Sequence, residues 1–531
     1  MSGRRSPRRL LSYWLALVLL AAVGAACTGD RSEALTLRVL ATPELADMRP
    51  LLDRLREETG IRLELDYRGT VEAADDLALG RYRHDLAWLS SDRPFRLKLR
   101  AAGRNAERPL STATMLSPVA IGLRPATAAR LRASAPGGEI SWADVADAAA
   151  EGTLAFGMAD PRHTDSGLAA LVGVATAAAG TGGALRPGDV SCDRLRGFFS
   201  GHRLTDRSPA RLADGFIHHQ GGLDALITHE SELLTLNRSG RLRERLEIVH
   251  PKDGMMLSDY PLLLLDPAKR EAYDRLVEWL RSAPVQKQIM ERTLRRPVDP
   301  GLPRIAEVRR PVGNALYFPD RQTVIDRLLS DYGRPGRDLP ARVVLLLDFS
   351  GSMRGERIRE LRATLAGLSG ADDSRSGKFA RFHRGETLTV IRFGGRVLDE
   401  RSVTYREPRD LLRLRELVAG DDFDGATAIW SGLDHAYGRL AELTGDQPGR
   451  PLSIVLMTDG RNNAGIGPDT FIRRYRERAP QVRAVRTYAI RYGDADTAEL
   501  GRAARATGGR VVDATARPLL TAFKEIRGCV D

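Results

Sequence analysis

Five oxygen-bearing side chains in the C-terminal third of the sequence are placed so that they could share one ion. Asp348, Ser350 and Ser352 stand in "LLLDFSGSM", where an apolar run stops abruptly. Asp459 closes a second apolar run, "PLSIVLMTDG", and Thr427 lies in the loop "DFDGATAIW" before a helical stretch. None of the five offers nitrogen or sulfur. Carboxylate and hydroxyl oxygens suit a hard cation, Mg²⁺ or Mn²⁺ with Ca²⁺ as a further candidate, rather than Zn²⁺ or copper. Two carboxylates with neutral hydroxyls leave such an ion electron-poor, and a carboxylate from a partner could complete its shell. A polar turn with an Asp cap and glycine-assisted reversal accounts for any one of these segments. It accounts poorly for five aligned oxygens, because unpaired buried carboxylates are costly.

Those residues need a sheet to hold them. From residue 341, "RVVLLLDFS", "TLTVIRFGG", "PLSIVLMTDG", "VRAVRTYAIRYG" and "GRVVDA" read as strands, separated by helices such as "ERIRELRATLAGL" and "IWSGLDHAYGRLAEL". Continuous apolar strands interleaved with helices predict a doubly wound α/β sheet, whose ligands collect at the carboxyl ends of the strands. All five oxygens fall there. The set resembles the metal-ion-dependent adhesion site (MIDAS) of von Willebrand factor A (VWA) domains, with D-x-S-x-S at Asp348, Ser350 and Ser352, then Thr427 and Asp459. The resemblance covers residues 341–531 and implies a Rossmann-like VWA domain that binds other proteins and seldom catalyses. It also implies that the serines bind metal directly, and that Thr427 and Asp459 bind directly or through water. Asp421, Asp422 and Asp424 lack the EF-hand pattern and read as solvated or supporting acids near Thr427.

Residues 35–325 alternate strand and helix again: "LTLRVLA", "IRLELDYRG", "HDLAWLS", "MLSPVAIGL", "TLAFGMAD" and "YPLLLLD" are the strand-like runs. The alternation implies parallel sheets with crossover helices, in two lobes. Motif order and phrases such as "MLSPVAIGL" and "DSGLAAL" resemble the two-lobed bacterial extracellular solute-binding proteins, the broad class that includes molybdate and phosphate binders. The resemblance implies a periplasmic-binding-protein-like module with ligand between the lobes, against loop hydroxyls and helix N-termini. The matching positions are Thr42, Thr70, Ser90, Ser117 and Ser166. Helix N-termini favour anions, so a small anionic solute is the expectation, although each hydroxyl taken alone reads more simply as a helix cap. His218, His219 and His229 with Glu230 match neither HExxH nor finger spacing, and read as exposed histidines on a helix-loop stretch. The Gly/Pro-bearing segment "DRLLSDYGRPGRDLP", residues 326–340, is the expected linker.

At the N-terminus, Arg4, Arg5, Arg8 and Arg9 precede an apolar run from Leu10 to Ala26. That pattern reads as a signal peptide over residues 1–26, shorter than the roughly 20 apolar residues of a spanning helix. Cys27 after "GAA" resembles the lipobox of bacterial lipoproteins, which implies acylation at Cys27 and a tether over 27–34. The expected location is the outer face of the cell membrane, lipid-anchored, as in actinobacterial surface lipoproteins. Cys192 and Cys529 lie in an oxidising compartment on this reading; they could pair with each other or stand as unrelated thiols.

Composition narrows the classes further. Hydrophobic residues at 42% and charged residues at 28% exclude a multispan membrane protein and a disordered chain. The net charge of +12 comes from dispersed arginine, since only six of 81 basic residues are lysine. With no basic stripe interleaved with aromatics, nucleic acid is not an expected partner. The chain is therefore expected to be a non-enzymatic lipoprotein. Its VWA domain would bind, through a divalent metal, a protein offering an acidic side chain, and its first module would sense a small solute. The alternative is a solute receptor of an uptake system with an accessory VWA domain. A metal-dependent hydrolase lacks an evident general base.

Overall fold

The computed structural model describes residues 35–190, 195–334, 336, 339–443 and 449–527. The signal peptide, the tether, Cys27, Cys192 and Cys529 lie outside the described residues. Among those described, no helix is long and apolar enough to cross a membrane.

In the first module the strands are β1 (Leu35–Ala41), β2 (Ile61–Tyr67), β3 (Leu86–Trp88), β4 (Ser111–Ala113), β5 (Ser117–Leu123), β6 (Phe156–Met158), β7 (His202–Leu204), β8 (Ala225–His229), β9 (Glu247–Val249), β10 (Leu257–Ser258) and β11 (Pro261–Leu264). One lobe holds the sheet β2-β1-β3-β11-β4. The other holds β10-β5-β8-β6-β7, with β9 alongside β5. The expected parallel pairing is present between β1 and β2, β1 and β3, and β6 and β8. The sheets are nonetheless mixed, because β11 runs antiparallel to β3 and β5 antiparallel to β8. The cause is connectivity: β4 leads directly into β5, and β10 directly into β11, so the chain passes between lobes without a crossover helix. At the second passage Tyr260 adopts φ 41°, an unusual conformation for a bulky residue. It is held there by a bond from its N–H to the Ser90 carbonyl (3.1 Å). Its own carbonyl accepts from Thr114 Oγ1 (2.6 Å) and Trp88 Nε1 (3.2 Å).

The helix Gln322–Gly333 runs into the stretch expected to be linker. Val324, Ile325, Leu328 and Tyr332 recur at helical spacing and join the first module's core. Residues 326–333 therefore belong to that module, and the connection is shorter than 326–340.

In the second module β12 (Arg342–Asp348), β13 (Thr387–Phe393), β14 (Val397–Thr404), β15 (Leu452–Thr458), β16 (Arg486–Arg491) and β17 (Val511–Asp513) form one sheet in the order β14-β13-β12-β15-β16-β17. All neighbours are parallel except β13 and β14. Strand β12 is buried on both faces: Val343, Leu345 and Leu347 face one apolar layer, Val344 and Leu346 the other. The helices Glu356–Ala366 and Leu519–Arg527 cover the first face; Ile429–Leu443 and Pro468–Glu477 cover the second. This is the doubly wound arrangement that the apolar runs predict. The edge strand β14, "VLDERSVT", was not among the expected strands, because an exposed edge mixes charges with its apolar residues.

The two modules are joined by more than the connecting segment. The short helix Arg375–Ala380 of the second module packs against the helix Trp142–Ala150 of the second lobe, and Phe379 enters the first module's core. The Lys378 ammonium bonds the Asp144 carboxylate, both buried. Asp144 Oδ2 also accepts the Ser141 N–H (2.8 Å) in a capping box. Burial opposes ionisation of Asp144, yet the bonds from Lys378 and Ser141 hold its carboxyl below the usual carboxylate range. Beside this pair, Arg381 Nη1 donates to Asp147 Oδ2 (2.9 Å) and the Arg384 N–H donates to the Ala150 carbonyl (2.9 Å). Removing one member of a buried ion pair strands the other. Lys378→Met should therefore lower the stability of the full chain by about 3 kcal/mol in a denaturant melt. Adding Asp144→Asn should recover part of that loss, a coupling that independent sites would not display.

Candidate functional site

The carboxyl edge of the second sheet brings the five expected oxygens together. Asp348 ends β12 with its side chain fully buried. Its Oδ1 accepts the Ser350 N–H (2.7 Å) and its Oδ2 accepts the Thr458 hydroxyl (2.6 Å). Ser350 Oγ lies 3.0 Å from Ser352 Oγ, and Ser352 donates to Asp459 Oδ1 (2.7 Å). The loop carrying Thr427 reaches this edge because Gly394 ends β13 without a side chain. A Cβ there would fall 2.2 Å from the Cβ of Asp424. The Asp424 N–H donates to the Phe349 carbonyl (3.0 Å) and the Ala428 N–H to the Gly394 carbonyl (2.8 Å). Asn463 then fixes Thr427 by accepting its N–H (2.7 Å). A side chain at Gly460 would begin 3.5 Å from Thr427 Oγ1 and 3.9 Å from Ser352 Oγ, so both hydroxyls face the same space.

Two consequences follow for charge. Burial pushes the Asp348 carboxyl up to about 6, with the Asp459 charge adding to the effect. Arg357 bonds Asp459 Oδ2 and also approaches Asp494 (3.4 Å). The pocket is thus an all-oxygen set whose most buried acid is short of positive charge. Thr458, Asn463 and Arg357 were missed in the sequence, although Thr458 lies inside "LMTDG" and Arg357 inside the expected helix "ERIRELRATLAGL".

The first module presents a different picture. Thr42, Thr70 and Ser90 are buried and meet: Thr70 and Ser90 place their hydroxyls 3.4 and 3.1 Å from Thr42 Oγ1. Thr42 in turn donates to Glu44 Oε2. The hydroxyl chain therefore ends on a carboxylate. Ser117 Oγ lies 3.2 Å from Ser231 Oγ and accepts the Ser231 N–H (3.2 Å). Ser166 is buried in the first turn of the helix Asp165–Ala179, whose cap is Thr164; its hydroxyl has no hydrogen-bond partner among the described residues.

His218 and His219 are exposed, as read from the sequence, but His229 is not. It ends β8 fully buried, because β8 is covered on both faces. Its Nε2 lies 3.0 Å from Ser258 Oγ and 3.4 Å from Asp165 Oδ2, and Ser258 donates to Asp165 Oδ2 (2.5 Å). Its Nδ1 has no hydrogen-bond partner among the described residues and stands 4.0 Å from Glu44 Oε1. Glu232 completes the group, with Oε2 accepting the Thr228 hydroxyl. Ligand-capable atoms of Glu44, His229 and Glu232 all lie within 4.8 Å of one another. Burial works to lower the His229 imidazole, but the Asp165 bond and the charges of Glu232, Asp165 and Glu44 outweigh it and leave it raised. Burial raises Glu232. Glu230 turns away to a buried pairing with Arg296 (2.6 and 2.8 Å) and His250 (2.8 Å). Neither Glu44 nor Glu232 was anticipated; the available signals were Glu44 two residues beyond Thr42 and Glu232 three beyond His229.

Residues 37–292 match the family model described as bacterial extracellular solute-binding protein, and residues 343–524 match that of the von Willebrand factor type A domain. No curated protein matches the chain. Among solved structures, a periplasmic thiamin binding protein is 12% identical with a TM-score of 0.44, over 56% of this chain and 96% of its own. The sulfate-binding protein SubI from Mycobacterium tuberculosis is 18% identical with a TM-score of 0.38, over 55% and 96%. Iron-bound HitA from Pseudomonas aeruginosa is 16% identical with a TM-score of 0.41, over 56% and 99%. The chain therefore joins an extracellular solute-binding domain to a von Willebrand factor type A domain, both of them typically binding modules rather than enzymes.

Proposed function

We propose that this is an exported, lipid-anchored binding protein whose VWA domain captures a protein partner through Mg²⁺ or Mn²⁺, with Ca²⁺ as a further candidate, while the solute-binding domain senses a small ligand. The observation that carries the reading is the convergence of Asp348, Ser350, Ser352, Thr427 and Asp459 at one sheet edge around a fully buried carboxylate. These residues would hold the ion through oxygen alone, which suits hard divalent cations. Arg357 neutralises one oxygen of Asp459 and leaves the other on the Ser352 side. A coordination position left open at the rim accepts a carboxylate oxygen, so the partner is a protein presenting an acidic side chain. Export and anchoring rest on the basic and apolar N-terminus and on Cys27.

In a pull-down from membrane extract, the parent should retain its partner with Mg²⁺ and release it in EDTA. The Asp348→Ala, Ser350→Ala double variant should capture nothing and show no Mg²⁺ binding by calorimetry while keeping a cooperative melt. Undiminished Mg²⁺ uptake by that variant would sink the assignment.

A second expectation concerns pH. The folded Asp348 carboxyl is raised from 3.8 to about 6, so the folded state resists its ionisation. The cost is absent below the lower value, grows as pH rises between the two, and is fully present above the higher. Metal-free protein should therefore lose stability as pH climbs through that window. At pH 7.5 in EDTA, Asp348→Asn should be more stable than the parent by up to about 3 kcal/mol. Added Mg²⁺ should stabilise the parent and leave the variant unchanged.

A further inference from the structure

Glu44, His229 and Glu232 are drawn from both lobes of the first module, and each is oriented by a neighbour that leaves one ligand atom free. Thr42 anchors Glu44 Oε2 and Thr228 anchors Glu232 Oε2. Ser258 donates its hydrogen to Asp165, so its oxygen accepts the His229 Nε2–H, and a cation that displaces the second ring proton would find the lone pair on Nδ1. That nitrogen is fully buried, has no hydrogen-bond partner and points toward Glu44. Hydrogen bonding of the far imidazole nitrogen to a hydroxyl and carboxylate is the usual support of a metal-bound histidine. The surrounding charge is also wrong for an anion. Glu44, Glu232 and Asp165 converge here, while Arg295 beside them is engaged with Asp47 (2.7 and 2.9 Å) and the Glu44 carbonyl (2.7 Å). A cavity of about 310 Å³ between the lobes is lined by Glu44 and Glu232, with Asp47 and Arg295, and His229 lies buried behind these two glutamates.

We infer that the solute of the first module is a divalent transition-metal ion, held by Glu44 from one lobe and by His229 and Glu232 from the other. One imidazole and two carboxylates suit Zn²⁺, Mn²⁺ or Fe²⁺ and disfavour Mg²⁺. Ligands at about 2.0–2.2 Å from a shared tetrahedral ion stand roughly 3.5 Å apart. Atoms now within 4.8 Å of one another therefore need only a small rotation of the glutamates. The inference deepens the reading of this domain as a solute sensor and rests on it for the cleft as the binding place; it does not depend on the metal set of the VWA domain.

The test uses the full chain in excess Mg²⁺, so that the all-oxygen set is occupied, with Zn²⁺ as the probe. Calorimetry should give one equivalent of Zn²⁺, and X-ray absorption should show one imidazole nitrogen among oxygen ligands. His229→Gln and Glu232→Gln should each weaken Zn²⁺ binding by roughly 100-fold or more, and Ser258→Ala by about 10- to 100-fold, with cooperative melts retained. No bound Zn²⁺, a spectrum without nitrogen, or affinity untouched by all three substitutions would overturn the inference. Sulfate, phosphate and molybdate are tested in parallel by thermal shift. Stabilisation by one of them without Zn²⁺ binding would overturn the cation site and leave the solute-sensing reading standing; a response to neither class would remove both.

Discussion

Asp348 ends a strand that has parallel partners on both sides and apolar layers on both faces, so its carboxylate is cut off from water and must be satisfied from within. The same demand recurs across the molecule, since an uncompensated buried carboxylate costs several kcal/mol. Asp144 meets it with a lysine from the other domain. Asp348 meets it with a backbone N–H and the Thr458 hydroxyl, which bind it without neutralising it. Glu44 meets it with the Thr42 hydroxyl and the half-buried Glu232 with the Thr228 hydroxyl, and both face the His229 imidazole, whose protonated form their charges favour. Where a lysine compensates the acid, the result is a fixed joint. Where only hydroxyls do so, the acid remains available to an added cation.

This distinction separates the two proposed metal sets by chemistry as well as by place. The VWA set is oxygen throughout and suits hard ions. The set between the lobes includes a neutral nitrogen whose tautomer is fixed through Ser258 and Asp165, and suits borderline ions. Mg²⁺ or Ca²⁺ in the first set and Zn²⁺ or Fe²⁺ in the second would then be held without competition, whereas Mn²⁺ suits both.

Much of the second domain was legible because its strands are continuous apolar runs, which only a sheet covered on both faces accommodates. Its candidate site was legible for the same reason, since polar residues that end such runs must lie at the carboxyl edge. Strand β14 was not, because none of its residues is fully buried and charges interrupt its apolar residues. In the first domain, hydroxyl positions were found but their role was not. Thr42 reads as a cap or an anion donor until the fold sets it against Glu44. His229 reads as exposed because periodicity cannot tell that β8 is covered on both faces. Tertiary proximity of residues some 185 positions apart leaves no local signal, and that proximity is what creates the His229 and Glu44 pair.

The docked helix Arg375–Ala380, through Lys378 and Phe379, and Arg381 just beyond it tie the VWA domain to the second lobe, whereas the first described strand, β1, lies in the first lobe. The lobes are linked by strands that cross at Tyr260 in a strained backbone conformation. A change in the angle between lobes would carry the docked VWA domain with the second lobe, relative to the first. The rim bearing Ser352 would then change its position relative to the first lobe, and a solute that closes the cleft would set the direction in which that rim faces.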